Sequence, residues 1–130
     1  MSLESAVRAM LTAGSTINLV PDARITHGYR LQDTALPAIT FEVAQYTIEG
    51  IGSSPISRCD IEVRCVAEAT VEALAIAAQV RSACVAGTYD GVVFSAVIDT
   101  GGSADAATTA DGDESLPAEY AQTFTIYYTE

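Results

Sequence analysis

The sequence predicts an α+β fold: a mostly antiparallel sheet of four to five strands, a main helix packed on one face and a short N-terminal helix. Three observations carry this. Ile56–Ala67 shows the sharpest alternation in the chain, apolar against charged from Arg58 to Cys65, as a strand buried on one face does. Glu119–Thr129 alternates as well, with Tyr120, Phe124, Ile126 and Tyr128 on one side. Between them, Thr70–Val85 has few polar residues and no Gly or Pro, so it reads as a helix.

The remaining elements follow in order. Ser2–Ala13 reads as a helix, with Ser2 able to cap it, Glu4 at its positive end and Gly14 able to end it in left-handed geometry. Leu3, Val7, Met10 and Leu11 form its apolar stripe. Ile17–Val20 is a short apolar piece before the Pro21-Asp22 turn. Arg24–Leu31 predicts a first strand, with Ile25 and Tyr29 on one face and Gly28 weakening it. Leu36-Pro37 marks a break. Ala38–Ile48 predicts the next strand, with Ile39, Phe41 and Val43 facing one way and a phase shift, hence a bulge, near Gln45-Tyr46.

Glu49–Pro55 (EGIGSSP) is expected to be a mobile, hairpin-like loop. In the strand that follows it, Cys59, Ile61, Val63 and Cys65 face the core, and Arg58, Asp60, Glu62 and Arg64 face outward. That outward row carries both signs, which suits pairing between neighbouring charges and also a plain solvated face. For the helix Thr70–Val85, Thr70 is the expected N-cap and Gly87 the expected C′ residue, and its light polarity predicts burial on most sides. Tyr89-Asp90-Gly91 predicts a turn and Val92–Asp99 a strand. Thr100–Pro117, rich in Gly, Ala, Ser, Thr and Asp, predicts a long mobile loop. No repeat or domain boundary is visible, so residues 1–130 read as a single domain with one core.

Composition narrows function. The chain is 49% hydrophobic and 18% charged, with a mean hydropathy of +0.26, so apolar surface at subunit contacts competes with a mere abundance of alanine as the reason. Net charge is −11, there is no Lys, and the six Arg are scattered, which argues against a phosphate-gripping surface. Cys59 and Cys65 would lie about 20 Å apart along one strand, too far for a disulfide. The odd count of three cysteines, in apolar settings, suits a reducing compartment. The N-terminus does not read as a signal peptide, and no apolar run predicts a membrane span.

No catalytic constellation emerges. The one histidine, His27, sits on a weak strand with no partner signature, so packing or surface exposure is its expected role. Zinc spacing is absent. Gly50–Ser54 (GIGSS) lacks the Lys and the strand–loop–helix frame of a phosphate loop. Asp111, Asp113 and Glu114 (DGDES) carry calcium-type ligands without the full twelve-residue loop pattern, so a solvated acidic loop is expected and no cofactor or metal is assigned.

The landmarks together resemble the tail-completion, or tail-terminator, proteins of long-tailed bacteriophages. They are the starting helix (LESAVRAMLTAG), the strand after a proline (LPAITFEVAQY), a Gly/Ser loop, the charged alternating strand (SRCDIEVRCVAE), the Ala-rich helix (ATVEALAIAAQVRSACV) and the aromatic last strand (YAQTFTIYYTE). The resemblance implies a homo-oligomeric ring, commonly a hexamer, that caps the tail tube and joins it to the head's neck proteins while DNA passes through. It implies a virion structural protein assembled in the host cytoplasm, with no enzymatic role and no membrane. On that reading Glu49, Ile51, Ser53, Arg58, Asp60, Glu62 and Arg64 are candidate subunit or partner contacts. Asp111, Asp113 and Glu114 are candidate acids of the channel, with the outer rim as their other placement. Another neck or tail component, such as a head-closure or tube subunit, is the alternative, followed by a small-ligand-binding domain.

Overall fold

The computed structural model describes residues 2–14, 16–28, 35–47, 56–105 and 118–129. Two helices and six strands are found there: α1 (Leu3–Leu11), β1 (Ile25–His27), β2 (Ala38–Thr47), β3 (Ser57–Ala67), α2 (Thr70–Ala83), β4 (Gly87–Tyr89), β5 (Val92–Asp105) and β6 (Ala118–Thr129). The strands form one sheet in the order β1-β2-β3-β6-β5-β4. Every pairing is antiparallel except β1 with β2, which is parallel. The sheet therefore has six strands rather than four to five; the unexpected one is β4, a three-residue edge strand too short to show periodicity.

The α1 helix forms as the sequence predicts. The Ser2 hydroxyl accepts from the Ser5 N–H at 3.1 Å, and Leu3, Val7, Met10 and Leu11 are all buried. Thr12 caps the C-terminus and Gly14 takes a positive φ of 60°. Arg8 reaches down from α1 to donate to the Ile25 and Asp22 carbonyls at 3.2 and 3.0 Å, fixing the helix over the start of β1. Arg24 lies in a 3-10 turn (Asp22–Arg24) rather than in the first strand. That strand ends at His27 among the described residues, and Tyr29 lies outside them.

The core lies between the helices and one sheet face. Cys59, Ile61, Val63 and Cys65 of β3 are buried, and so are Phe124, Ile126 and Tyr128 of β6. Phe124 stands opposite Ile61 and Ile126 opposite Cys59, so these side chains form adjoining rows. Burying each large apolar side chain contributes about 1.5–3 kcal/mol. The β2–β3 register runs unbroken from Ala38 to Thr47, so the bulge expected at Gln45-Tyr46 is absent. The irregularities sit in β5, between Phe94 and Ala96 and between Asp99 and Gly101.

Helix α2 packs on β3 and β6. Its N-cap is Ala69, without a side-chain bond, and its C-cap is Cys84, so Thr70 and Gly87 do not cap it; Gly87 instead opens β4. Nor is it buried on most sides. Ala73, Ile76, Ala77, Val80 and Ala83 face the core, while Val71 is 79% and Leu74 44% exposed. A single sheet covers one face of a helix, and light polarity does not supply a second cover. Gln79 bonds Asn18 and Leu19, with three contacts of 2.8–3.1 Å that pin Ile17 and Val20 into the core. The Tyr89-Asp90-Gly91 turn is a two-residue hairpin joining β4 to β5. Asp90 and Gly91 have φ of 50° and 81°, as a primed turn requires.

The region Thr100–Pro117, expected to be a loop, begins as strand: β5 continues to Asp105, pairing Gly101–Asp105 with Glu119–Thr123. Small residues with little strand propensity extend there because β6 offers a ready ladder. Gly102 also lets Gln122 and Tyr120 approach, since a Cβ at that position would lie 2.6 Å from the side-chain oxygen of each.

Candidate interaction surface

The outward sheet face follows from the same alternation. If Cys59, Ile61, Val63 and Cys65 point inward, then Arg58, Asp60, Glu62 and Arg64 must point out. Register sets their neighbours: Glu42 and Glu62 stand directly opposite, and Asp60 and Glu62 face Thr125 and Thr123 of β6. Sheet curvature makes this face a trough of about 570 Å³, lined by Glu42, Ala44, Arg58, Asp60, Glu62, Thr100, Thr123 and Thr125.

These four charged residues of β3 are half-buried rather than freely solvated. Arg64 Nε lies 2.7 Å from a Glu62 oxygen, and its Nη1 lies 3.4 Å from Glu119. Arg58 lies 3.7 Å from Asp60, which also accepts from the Thr125 hydroxyl at 2.8 Å. Thr100 and Thr123 hydroxyls share a bond of 2.8 Å. Pairs exposed to this degree contribute at most about 1 kcal/mol each, so the row does more to shape a charged, hydrogen-bonding surface than to stabilise the sheet. Opposed like charges, Glu42 and Glu62, are a local cost that a basic group from outside would relieve.

The structure brings Arg58, Asp60, Glu62 and Arg64 together as the sequence predicts. Glu49, Ile51 and Ser53 of the first candidate loop, and Asp111, Asp113 and Glu114 of the second, lie outside the described residues. The threonines of the trough are not singled out by the sequence, because Thr123 and Thr125 are the outward half of an alternating strand and Thr100 falls in the segment expected to be a loop.

The chemistry available is that of contact. Burial pushes all three thiols from about 9 up to about 12; Asp60 reinforces the shift at Cys59 and Cys65 at Cys84, while Arg81 opposes it at Cys65. They are therefore protonated and poorly nucleophilic. His27 stacks at a tilt against Phe41, 5.3 Å between ring centres, a packing role. Among the described residues, no group of three or more His, Cys, Asp or Glu is placed to hold a metal ion, and no helix is long and apolar enough to cross a membrane. A second polar feature joins helix to sheet at the core's edge. Gln122, buried in the inner row of β6, accepts from Arg81 at 3.2 Å and donates to Asp99, whose carboxylate also takes the Gly101 N–H at 2.9 Å.

Comparison with known proteins adds three findings. The family described as "Tail completion protein gp17" matches residues 5–116. No curated protein matches. Among solved structures 17 chains match; one, from "Virion of native gene transfer agent (GTA) particle", superposes with a TM-score of 0.74 at 16% identity, covering 98% of this chain and 94% of that one. At that identity the likeness is one of fold.

Proposed function

The chain belongs to the tail completion protein family, and from that premise we propose that it forms a ring that caps the head-proximal end of the tail tube and joins it to the neck. A tail completion protein is a structural component of the virion, not an enzyme. The family match over residues 5–116 carries the reading. The fold's likeness to a chain of a gene transfer agent particle supports it, as does a surface built for contact rather than catalysis.

On this reading the chain is a single domain, and its partners are copies of itself, the tube protein and a head-completion protein. Arg58, Asp60, Glu62 and Arg64 are contacts, since their half-buried pairs are already ordered to meet a partner. Glu49, Ile51 and Ser53 are proposed as further subunit or partner contacts. Asp111, Asp113 and Glu114 line a channel through which DNA slides without binding. The net charge of −11 supports such a passage, because duplex binding draws its strength from phosphate neutralisation.

Tube growth in vitro tests the cap. Purified protein added to polymerising tube subunits should arrest elongation and leave shorter tubes with one closed end. Tubes of unchanged length at saturating protein would refute it.

A further inference from the structure

Among the described residues, the sheet has two stretches of edge with no strand on their outer side. β1 covers only Ile39–Phe41 of β2, and β4 covers only Val92–Phe94 of β5. Beyond these, Glu42–Thr47 on one side and Ser95–Asp105 on the other have no strand beside them among the described residues. Backbone donors and acceptors along such an edge are a template for another strand. Neither stretch contains Lys, Arg or Pro, and the bulges of β5 lie at either end of Ala96–Asp99 rather than within it. The β5 bulges leave Ala96–Asp99 as a regular run between them, and Ile98 within it is 48% exposed.

The two edges also match each other. Following the register across the sheet, Tyr46 is level with Arg58, Tyr127 and Ala96, while Ala44 is level with Asp60, Thr125 and Ile98. β5 runs opposite to β2, because three antiparallel pairings separate them. A neighbour displaced sideways, with no shift along the strands, would therefore lay its β2 antiparallel beside β5. Ala44 and Ile98 would meet, both on the outward face.

We propose that copies of this chain join by strand addition, β5 of one protomer pairing along Ala96–Asp99 with β2 of the next, so that the sheet continues from subunit to subunit. The occupant of each edge is a second copy, because the chain itself carries the complementary edge at the same height and in the right direction. Such a contact is heterologous and propagates to a closed ring when the rotation closes. The inference rests on the ring reading above and specifies its interface.

Disulfide trapping tests it. The native thiols are buried and held near 12, so they do not compete. The full-length double variant Ala44→Cys/Ile98→Cys, oxidised under conditions of assembly and run without reductant, should give a ladder of covalent multimers, lost on reduction. Ala44→Cys/Val97→Cys should give none, because Val97 belongs to the inner face and alternation keeps it from Ala44. A ladder of equal strength from the Val97 pair, or dimers from Ile98→Cys alone, would overturn the proposal. Rings seen by electron microscopy without a ladder would overturn this interface and leave the ring standing. Neither rings nor ladder, with tube growth still arrested or not, would overturn both ring and interface.

Discussion

Val63 sits at the centre of β3 with no exposure, opposite Gln122 and one row from the Phe124–Ile61 contact. Val63→Asp places an unpaired charge there and should cost roughly 3–5 kcal/mol, seen as aggregation or loss of the folded signal. Val71→Asp, at the exposed start of α2, should shift stability by no more than about 0.5 kcal/mol, since an acid suits a helix N-terminus. Equal melting shifts for the two would contradict the inward–outward assignment. Gln122→Leu removes the bridge between Arg81 and Asp99 and should destabilise by about 1–3 kcal/mol. The cysteines set a pH dependence. Their folded pKa values are raised, so the protonated thiol is the form that folding favours. Their contribution is intact below about 9 and declines as pH rises from there toward about 12. Thermal melts at pH 8 and 10.5 should show the decline, and Cys→Ser variants should reduce it.

Elements were legible where several residues spoke together. The α1 stripe and its Ser2 cap, the β3 alternation and the aromatic row of β6 each repeat over many positions, and each is found in place. Edges and ends were not. β4 holds three residues and exists because β5 offers it a ladder, information that lies elsewhere in the chain, and β1, expected over Arg24–Leu31, spans only Ile25–His27. The extension of β5 to Asp105 has the same cause: Gly101 and Gly102 read as loop, yet β6 pairs with them. The Asp90-Gly91 hairpin shows the reverse case, since a local pair of residues sets the whole turn. Gly91→Ala, forcing a side chain into positive φ, should cost about 1–2 kcal/mol in chemical denaturation. A neutral result would mean that the turn relaxes to another type.

At the scale of the whole molecule, charge and fold point the same way. A chain of net charge −11 with no Lys should leave duplex DNA unshifted in a gel at physiological salt, and salt-sensitive binding would overturn the passive channel. The candidate surface was half legible: alternation placed Arg58, Asp60, Glu62 and Arg64 outward, but the trough needed the curvature that brings Glu42, Thr100, Thr123 and Thr125 beside them. Residue patterns specify faces, while concavity belongs to the assembled sheet. On the proposed function, this chain forms a ring at one end of the tail. Its most direct test is electron cryo-microscopy of intact virions carrying a tagged copy of this protein. Density for a single ring between tube and neck is expected. Tag density repeated along the tube, or absent from the neck, would contradict it.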